Sequence, residues 1–231
     1  MGSQFRGIGE EWDADTTVLV RDLFDSLDAV ALRRDQLTAQ FFMRKVEQYG
    51  SKVMQARDCR PGREGETLLH SAARCGDRSV TRFLIEVGAG SVDLDASSSP
   101  ITLITPFMTA IVNHNFDVAM DFLAAGAHWD VVDFAGDNIL HYLARAGSAK
   151  ALKQIVNICG LSGRAVQQLA SQANGQGKKS KFPEDVAVNP LVKAILRSYR
   201  ETGIYNPPER ERDRLKRRGP RGSSPSHSNR K

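Results

Sequence analysis

A chain of 231 residues with 41% apolar content has room for one folded body of about 140–200 residues plus tails. No apolar run approaches the roughly 18–20 residues of a membrane span, the acidic group Glu10, Glu11, Asp13 and Asp15 argues against a mitochondrial transit peptide, and Arg6 breaks the myristoylation pattern that Met1-Gly2 opens. From Asn206 onward nine Lys and Arg face three acids, which exceeds the net +5 of the whole chain, so residues 1–205 are close to neutral and the high pI belongs to the tail.

Residues 1–14 read as a flexible N-terminus and 15–60 as a helical cap. Residues 16–49 contain neither Gly nor Pro. Val20, Leu23, Phe24, Leu27, Val30 and Ala31 recur at three and four residues, the stripe of an amphipathic helix, and Leu37, Phe41, Phe42, Val46 and Tyr49 continue it on a shifted face. Asp35 is placed to cap a second helix, so the segment is expected to be a helix pair packed on the folded segment after it, with a partner-binding helix as the alternative. Arg60-Pro61-Gly62-Arg63 is a break.

Three related motifs come next. Thr67-Leu68-Leu69-His70-Ser71-Ala72-Ala73 is followed by Gly76, Thr105-Pro106-Phe107-Met108-Thr109-Ala110-Ile111 is the second copy, and Asn138-Ile139-Leu140-His141-Tyr142-Leu143-Ala144 is followed by Gly147. The steps between them are 38 and 33 residues, with the surplus in Ala96–Pro100. Apolar pairs recur in step: Leu84-Ile85, Phe122-Leu123 and Ile155-Val156. Residues 64–89 resemble an ankyrin repeat almost position for position, and the register holds over three copies. Phe182–Ala187 followed by Leu191–Leu196 looks like a degenerate fourth, after a glycine-bearing polar loop at 172–181 that reads as mobile.

The resemblance implies an all-α solenoid of stacked helix-turn-helix units joined by short hairpin loops, over residues 61–200. It implies that His70 and His141 bridge neighbouring units through their ring nitrogens. Thr67 and Asn138 suit N-caps, Pro106 a first helical turn, and Gly76, Gly147, Gly88 and Gly126 turns at positive φ. Met108 stands where the histidine belongs, and His114 where a glycine does. Ile101–Ile104 is more apolar than a hairpin arm should be, and either folds onto the N-terminal segment or faces a partner.

In this family ligands lie against the hairpin tips and the first-helix face. Carried over by position, that selects Glu66, Ser71 and Arg74 from the first unit, Thr109, Val112 and Asn113 from the second, and Phe134, Asp137, Tyr142 and Arg145 from the third. Phe134, Tyr142 and Arg145 are of the types that dominate interface energy. Phe134 packing locally on Trp129 is the alternative.

The tail, taken as 201–231, is Pro-, Gly- and Ser-rich with a basic core and reads as disordered. Arg214, Lys216, Arg217, Arg218 and Arg221 fit an acidic partner such as RNA, DNA or acidic tubulin tails, or a nuclear localisation signal, with a plain solvated charged tail as the alternative. Cys59, Cys75 and Cys159, an odd count without framework spacing, suggest reduced thiols and an intracellular protein, cytoplasmic or nuclear. The chain lacks a nucleophile elbow, a zinc-protease helix motif and a phosphate-binding glycine loop. Neither catalytic residues, metal nor cofactor are expected. The expected function is a non-catalytic protein-interaction module, an adaptor or a subunit of a larger assembly; the alternative is attachment to an acidic polymer through the tail.

Overall fold

The computed structural model describes residues 14–58, 60, 62–63, 65–89, 92–99, 102–175 and 180–205. All regular structure there is helical apart from two isolated bridges, Arg57 with Thr67 and Asn174 with Lys181.

Two long helices open the chain, α1 (Ala14–Arg33) and α2 (Gln36–Tyr49). Asp35 separates them as predicted: its carboxylate accepts from the Thr38 N–H at 2.7 Å and caps α2. Val20, Leu23, Phe24, Leu27 and Val30 of α1 are buried, with Ala39, Phe42 and Val46 of α2. The second half of the stripe departs from the expectation. Leu37, Phe41 and Tyr49 are exposed, because the cap restarts the helix in a phase that turns Phe42 and Val46 inward. After a 3₁₀ turn at Ser51–Gln55, Arg60 ties the break to the cap, pairing with buried Asp58 at 2.6 Å and with Asp25 and Asp28 at 2.9 and 2.8 Å; Arg63 joins Asp28 at 2.7 Å.

Three helix pairs come after the break, one per motif: α3 (Leu68–Cys75) with α4 (Arg78–Val87), α5 (Pro106–Val112) with α6 (Phe116–Ala124), and α7 (Ile139–Ala146) with α8 (Ala149–Ile158). First helices stack as α3–α5–α7 and second helices as α4–α6–α8, with α1 against α3 and α2 against α4. The N-terminal pair therefore occupies the place of a preceding unit. One core runs the length of the stack through Leu69, Leu84, Phe107, Ile111, Phe122, Leu140 and Leu152. Each such large side chain is worth about 1.5–3 kcal/mol of burial, which a lone helix pair cannot collect.

The array ends differently from the expectation. α9 (Arg164–Ala170) is an additional helix between the third unit and the fourth, packed on α10 (Pro190–Thr202). In the fourth unit the first helix shrinks to one 3₁₀ turn, Pro183–Val186. Its buried Glu184 holds α10 by a 2.9 Å pair with Arg200, whose guanidinium also lies over the Phe182 ring at 4.5 Å. Residues 201–205, expected in the tail, belong to the folded body: α10 runs to Thr202, and Tyr205 packs against the core with Lys153 4.3 Å above its ring. The loop at 172–181 is anchored at both ends, Asn174 N–H donating to the Lys181 carbonyl at 2.9 Å.

Gly76 and Gly147 close their helices at φ 79° and 69°, as expected, and Gly126 sits at 98°. Gly88 does not: its φ is −82°. It is required for space instead, since a Cβ there would lie 2.3 Å from Val92 Cγ2 and 2.8 Å from the Leu84 carbonyl oxygen. His114 and Arg34, at φ 59° and 53°, occupy the left-handed region without being glycine.

Candidate functional site

The first helices and hairpin tips form one side of the stack, and histidines lock them in register. His70 Nδ1 accepts from the Thr67 N–H at 3.1 Å, which places the proton on Nε2, 2.9 Å from the Ile104 carbonyl of the next unit. His141 repeats this, with Nδ1 accepting from the Asn138 N–H at 3.2 Å and Nε2 3.0 Å from the Lys181 carbonyl. Burial holds both rings neutral: it drives the His70 pKa down to about 4 and lowers that of His141.

The third hairpin tip is the most heavily tied. Asp133 accepts the Tyr142 hydroxyl at 2.7 Å and the Asp137 N–H at 2.8 Å. Asp137 in turn takes Arg145 at 2.6 Å and the Asn174 amide at 2.6 Å. Burial works to raise the Asp137 carboxyl, but the Arg145 and Asn174 bonds outweigh it and hold it below the ordinary range. Burial and the Asp133 carboxylate push the Tyr142 phenol up. The Phe134 N–H donates to the Thr102 carbonyl of the neighbouring hairpin at 3.1 Å, and Gly175 N–H to the Ala135 carbonyl at 2.7 Å. A backbone fastened on both sides thus presents Phe134, which is 73% exposed.

Against this geometry the predicted residues divide. Phe134, Val112 and Arg145 are exposed on the hairpin and first-helix side. Glu66, Arg74 and Asn113 are half-buried; Glu66 and Arg74 form an ion pair, and the Asn113 amide bonds back to the Thr109 carbonyl at 2.8 Å. Ser71, Thr109, Asp137 and Tyr142 are buried, which corrects their placement as surface contacts: the Thr109 hydroxyl bonds the Thr105 carbonyl, and Tyr142 and Asp137 hold the tip from within. Trp129 is half-buried against the core, while Phe134 stands out in solvent.

Two further exposed side chains lie outside the set that position along the motif selects. Leu103 stands at φ 54° beside Thr102, and Val132 lies two residues before Phe134. The apolar run Ile101–Ile104 signals Leu103; among the described residues of that run, Ile104 is the one that turns to the core. Arg214, Lys216, Arg217, Arg218 and Arg221 lie outside the described residues, as do residues 1–13.

A solenoid of stacked helix pairs joined by hairpin loops defines a class of repeat scaffolds. The ankyrin repeat family matches residues 64–96, and the chain is an ankyrin-repeat protein. It is 30% identical over 114 residues to the nuclear factor NF-kappa-B p105 subunit of Rattus norvegicus, covering 49% of this chain and 11% of that protein. It is 26% identical over 96 residues to the NF-kappa-B inhibitor alpha of Gallus gallus, covering 42% of this chain and 30% of that protein. The chain thus spans less than a third of either relative. Ankyrin repeats generally mediate protein–protein interactions and are typically non-catalytic. Among the described residues no helix is long and apolar enough to cross a membrane, and no group of three or more His, Cys, Asp or Glu side chains is placed to hold a metal ion.

Proposed function

We propose that the protein is an adaptor, or a subunit of a larger assembly, that holds a protein partner on its hairpin-tip and first-helix side. The supporting observation is Phe134: a large apolar side chain 73% exposed on a tip whose backbone is bonded to both neighbouring loops. Leu103 and Val132 are further exposed apolar side chains on the same two hairpin loops, and Arg145 is held by Asp137 of the tip. An aromatic on a tied backbone contributes to binding at a lower ordering cost than one on a loose loop. Free Cys75 and Cys159 support action inside the cell, in the cytoplasm or nucleus.

The test is affinity capture from cells with four tagged proteins: the full chain, Phe134→Ala, Phe134→Ala/Val112→Ser, and a chain ending at Tyr205. Captures are made at low and moderate salt. The tip reading expects a partner set that survives truncation and salt, and whose affinity falls about 30-fold on Phe134→Ala, the loss of about 2 kcal/mol typical of a hot spot. A partner set indifferent to the tip variants but lost with the tail or with salt refutes it. Function would then rest on the basic arm and an acidic polymer.

A further inference from the structure

The side of the N-terminal pair turned away from the array carries a feature that capping does not use. α2 has two apolar faces. Ala39, Phe42 and Val46 point into the core, while Leu37 and Phe41, one turn apart, are 77% and 58% exposed. Together with Ser26, Ala29 and Arg33 of α1 and Thr38, Gln40 and Arg44 of α2, they line a groove of about 480 Å³. A terminal cap is expected to be polar outward, so a groove lined by exposed leucine and phenylalanine is a departure from that role.

Its charge is one-sided. Both charged lining residues, Arg33 and Arg44, are cations, and no carboxylate lines the groove. Neither arginine is in an ion pair among the described residues. The carboxylates of α1 are used elsewhere: Asp22 by Lys45, Asp25 by Arg21 and Arg60, Asp28 by Arg60 and Arg63. Lys45, which lies 4.7 Å above the Phe41 ring, is thereby neutralised. From Leu37 to Arg44 is about 10 Å of helix, the length of two turns of a bound helix.

We propose that this groove is a second docking site, distinct from the hairpin-tip side, and that it takes an acidic amphipathic helix of a protein partner. Two or three apolar side chains at i, i+4 and i+7 would enter between α1 and α2, with Glu or Asp beside them meeting Arg33 and Arg44. A second copy of the chain is disfavoured, because a two-fold contact through this face sets Arg33 and Arg44 against cations of the same kind. A groove between two helices suits a third helix better than it suits a lipid surface.

The test uses the full chain and a displayed library of 14-residue helices with Leu, Ile or Phe at i, i+4 and i+7 and Glu or Lys randomised at the flanks. Selection on the wild type is counter-selected on Leu37→Ser/Phe41→Ser, whose replaced side chains are exposed and leave the core intact. The expected result is enrichment of Glu-flanked helices. The best of them, followed by fluorescence anisotropy, should bind at least 30-fold more weakly to the Ser variant. Flank preference should reverse on Arg33→Glu/Arg44→Glu and stay unchanged on Phe134→Ala. No enrichment, Lys enrichment, or equal binding to the Ser variant overturns the proposal. So does tighter wild-type binding to 3:1 phosphatidylcholine–phosphatidylserine vesicles than to the selected peptide, or a dimer in sedimentation that the Ser variant abolishes.

Discussion

Acidification should loosen the array well before its carboxylates titrate. His70 is held near a pKa of about 4 in the fold against 6.5 in the unfolded chain, because burial disfavours the charged ring. The unfolded state therefore binds the proton first. Stability from this group is full above pH 6.5 and is lost as pH falls toward 4. Worked from those two values, the loss from pH 7.5 to 5 is about 2 kcal/mol, and His141, shifted in the same direction, adds to it. Asp35, Asp121 and Asp137, whose pKa values are lowered, lose their contribution only below about pH 4, outside this window. His128 is raised by its bond to Asp95 and works the opposite way, but it is mostly exposed and screened by solvent. The assay is urea unfolding followed by circular dichroism at 222 nm between pH 7.5 and 5, where a slope of about 2 kcal/mol per molar makes the shift about 1 M in midpoint. His70→Gln keeps an acceptor for Thr67 and a donor for Ile104 but cannot titrate. Its midpoint should fall by about 1 M less than that of the wild type over the same range. Parallel pH profiles for the two proteins would refute the reasoning.

Other expectations are checked by the same unfolding measurement at pH 7.5. Arg34→Gly should stabilise by about 0.5–1 kcal/mol, since release of left-handed strain on an exposed residue exceeds the entropy glycine adds to the unfolded chain. Gly88→Ala should destabilise by about 1–3 kcal/mol because the new methyl meets Val92 and the Leu84 carbonyl, and Val92→Ala in the same chain should restore part of that. Tyr142→Phe should cost about 1.5–3 kcal/mol, the value of a hydrogen bond to a charged acceptor, and raise hydrogen exchange at the Asp137 amide.

The repeat units were legible because each position of the motif answers one local demand. Thr67, Pro106 and Gly147 announce where helices begin and end, and the histidine bridges are what the ankyrin resemblance implies. The errors lie where a choice depends on contacts between distant segments. Leu37 and Phe41 continue a helical stripe in sequence, but Asp35 resets the phase and only packing against the array decides which of two apolar faces goes inside. α9 carries a weak stripe of Val166 and Leu169, and its place is fixed by α10, to whose terminal carbonyls at Arg200 and Glu201 the Gln167 amide bonds at 3.2 and 3.1 Å. At the candidate site, position along the motif located the tip and named Phe134. It did not separate side chains that face solvent from side chains that hold the tip: Tyr142 is buried, and its hydroxyl donates to Asp133.

The seams between units are not fastened alike. At the first seam His70 reaches the Ile104 carbonyl and the Asn115 amide reaches the carbonyls of Ala73 and Arg74; at the last, His141 reaches Lys181 and Asn189 reaches Gly147. Between the second and third units both devices are missing. Met108 has no ring nitrogen, and the Ser148 hydroxyl serves its own helix at Ala151. There the bonds run through the hairpins, from Phe134 to Thr102 and from His128 to Asp95, while the helices meet through apolar side chains. The middle seam is thus held by its hairpins and by the shared apolar core, without the two polar locks of its neighbours. Native-state exchange should find residues up to Ala124 and residues from Ile139 opening as separate cooperative units, because the middle seam has the fewest polar ties to hold its two sides together.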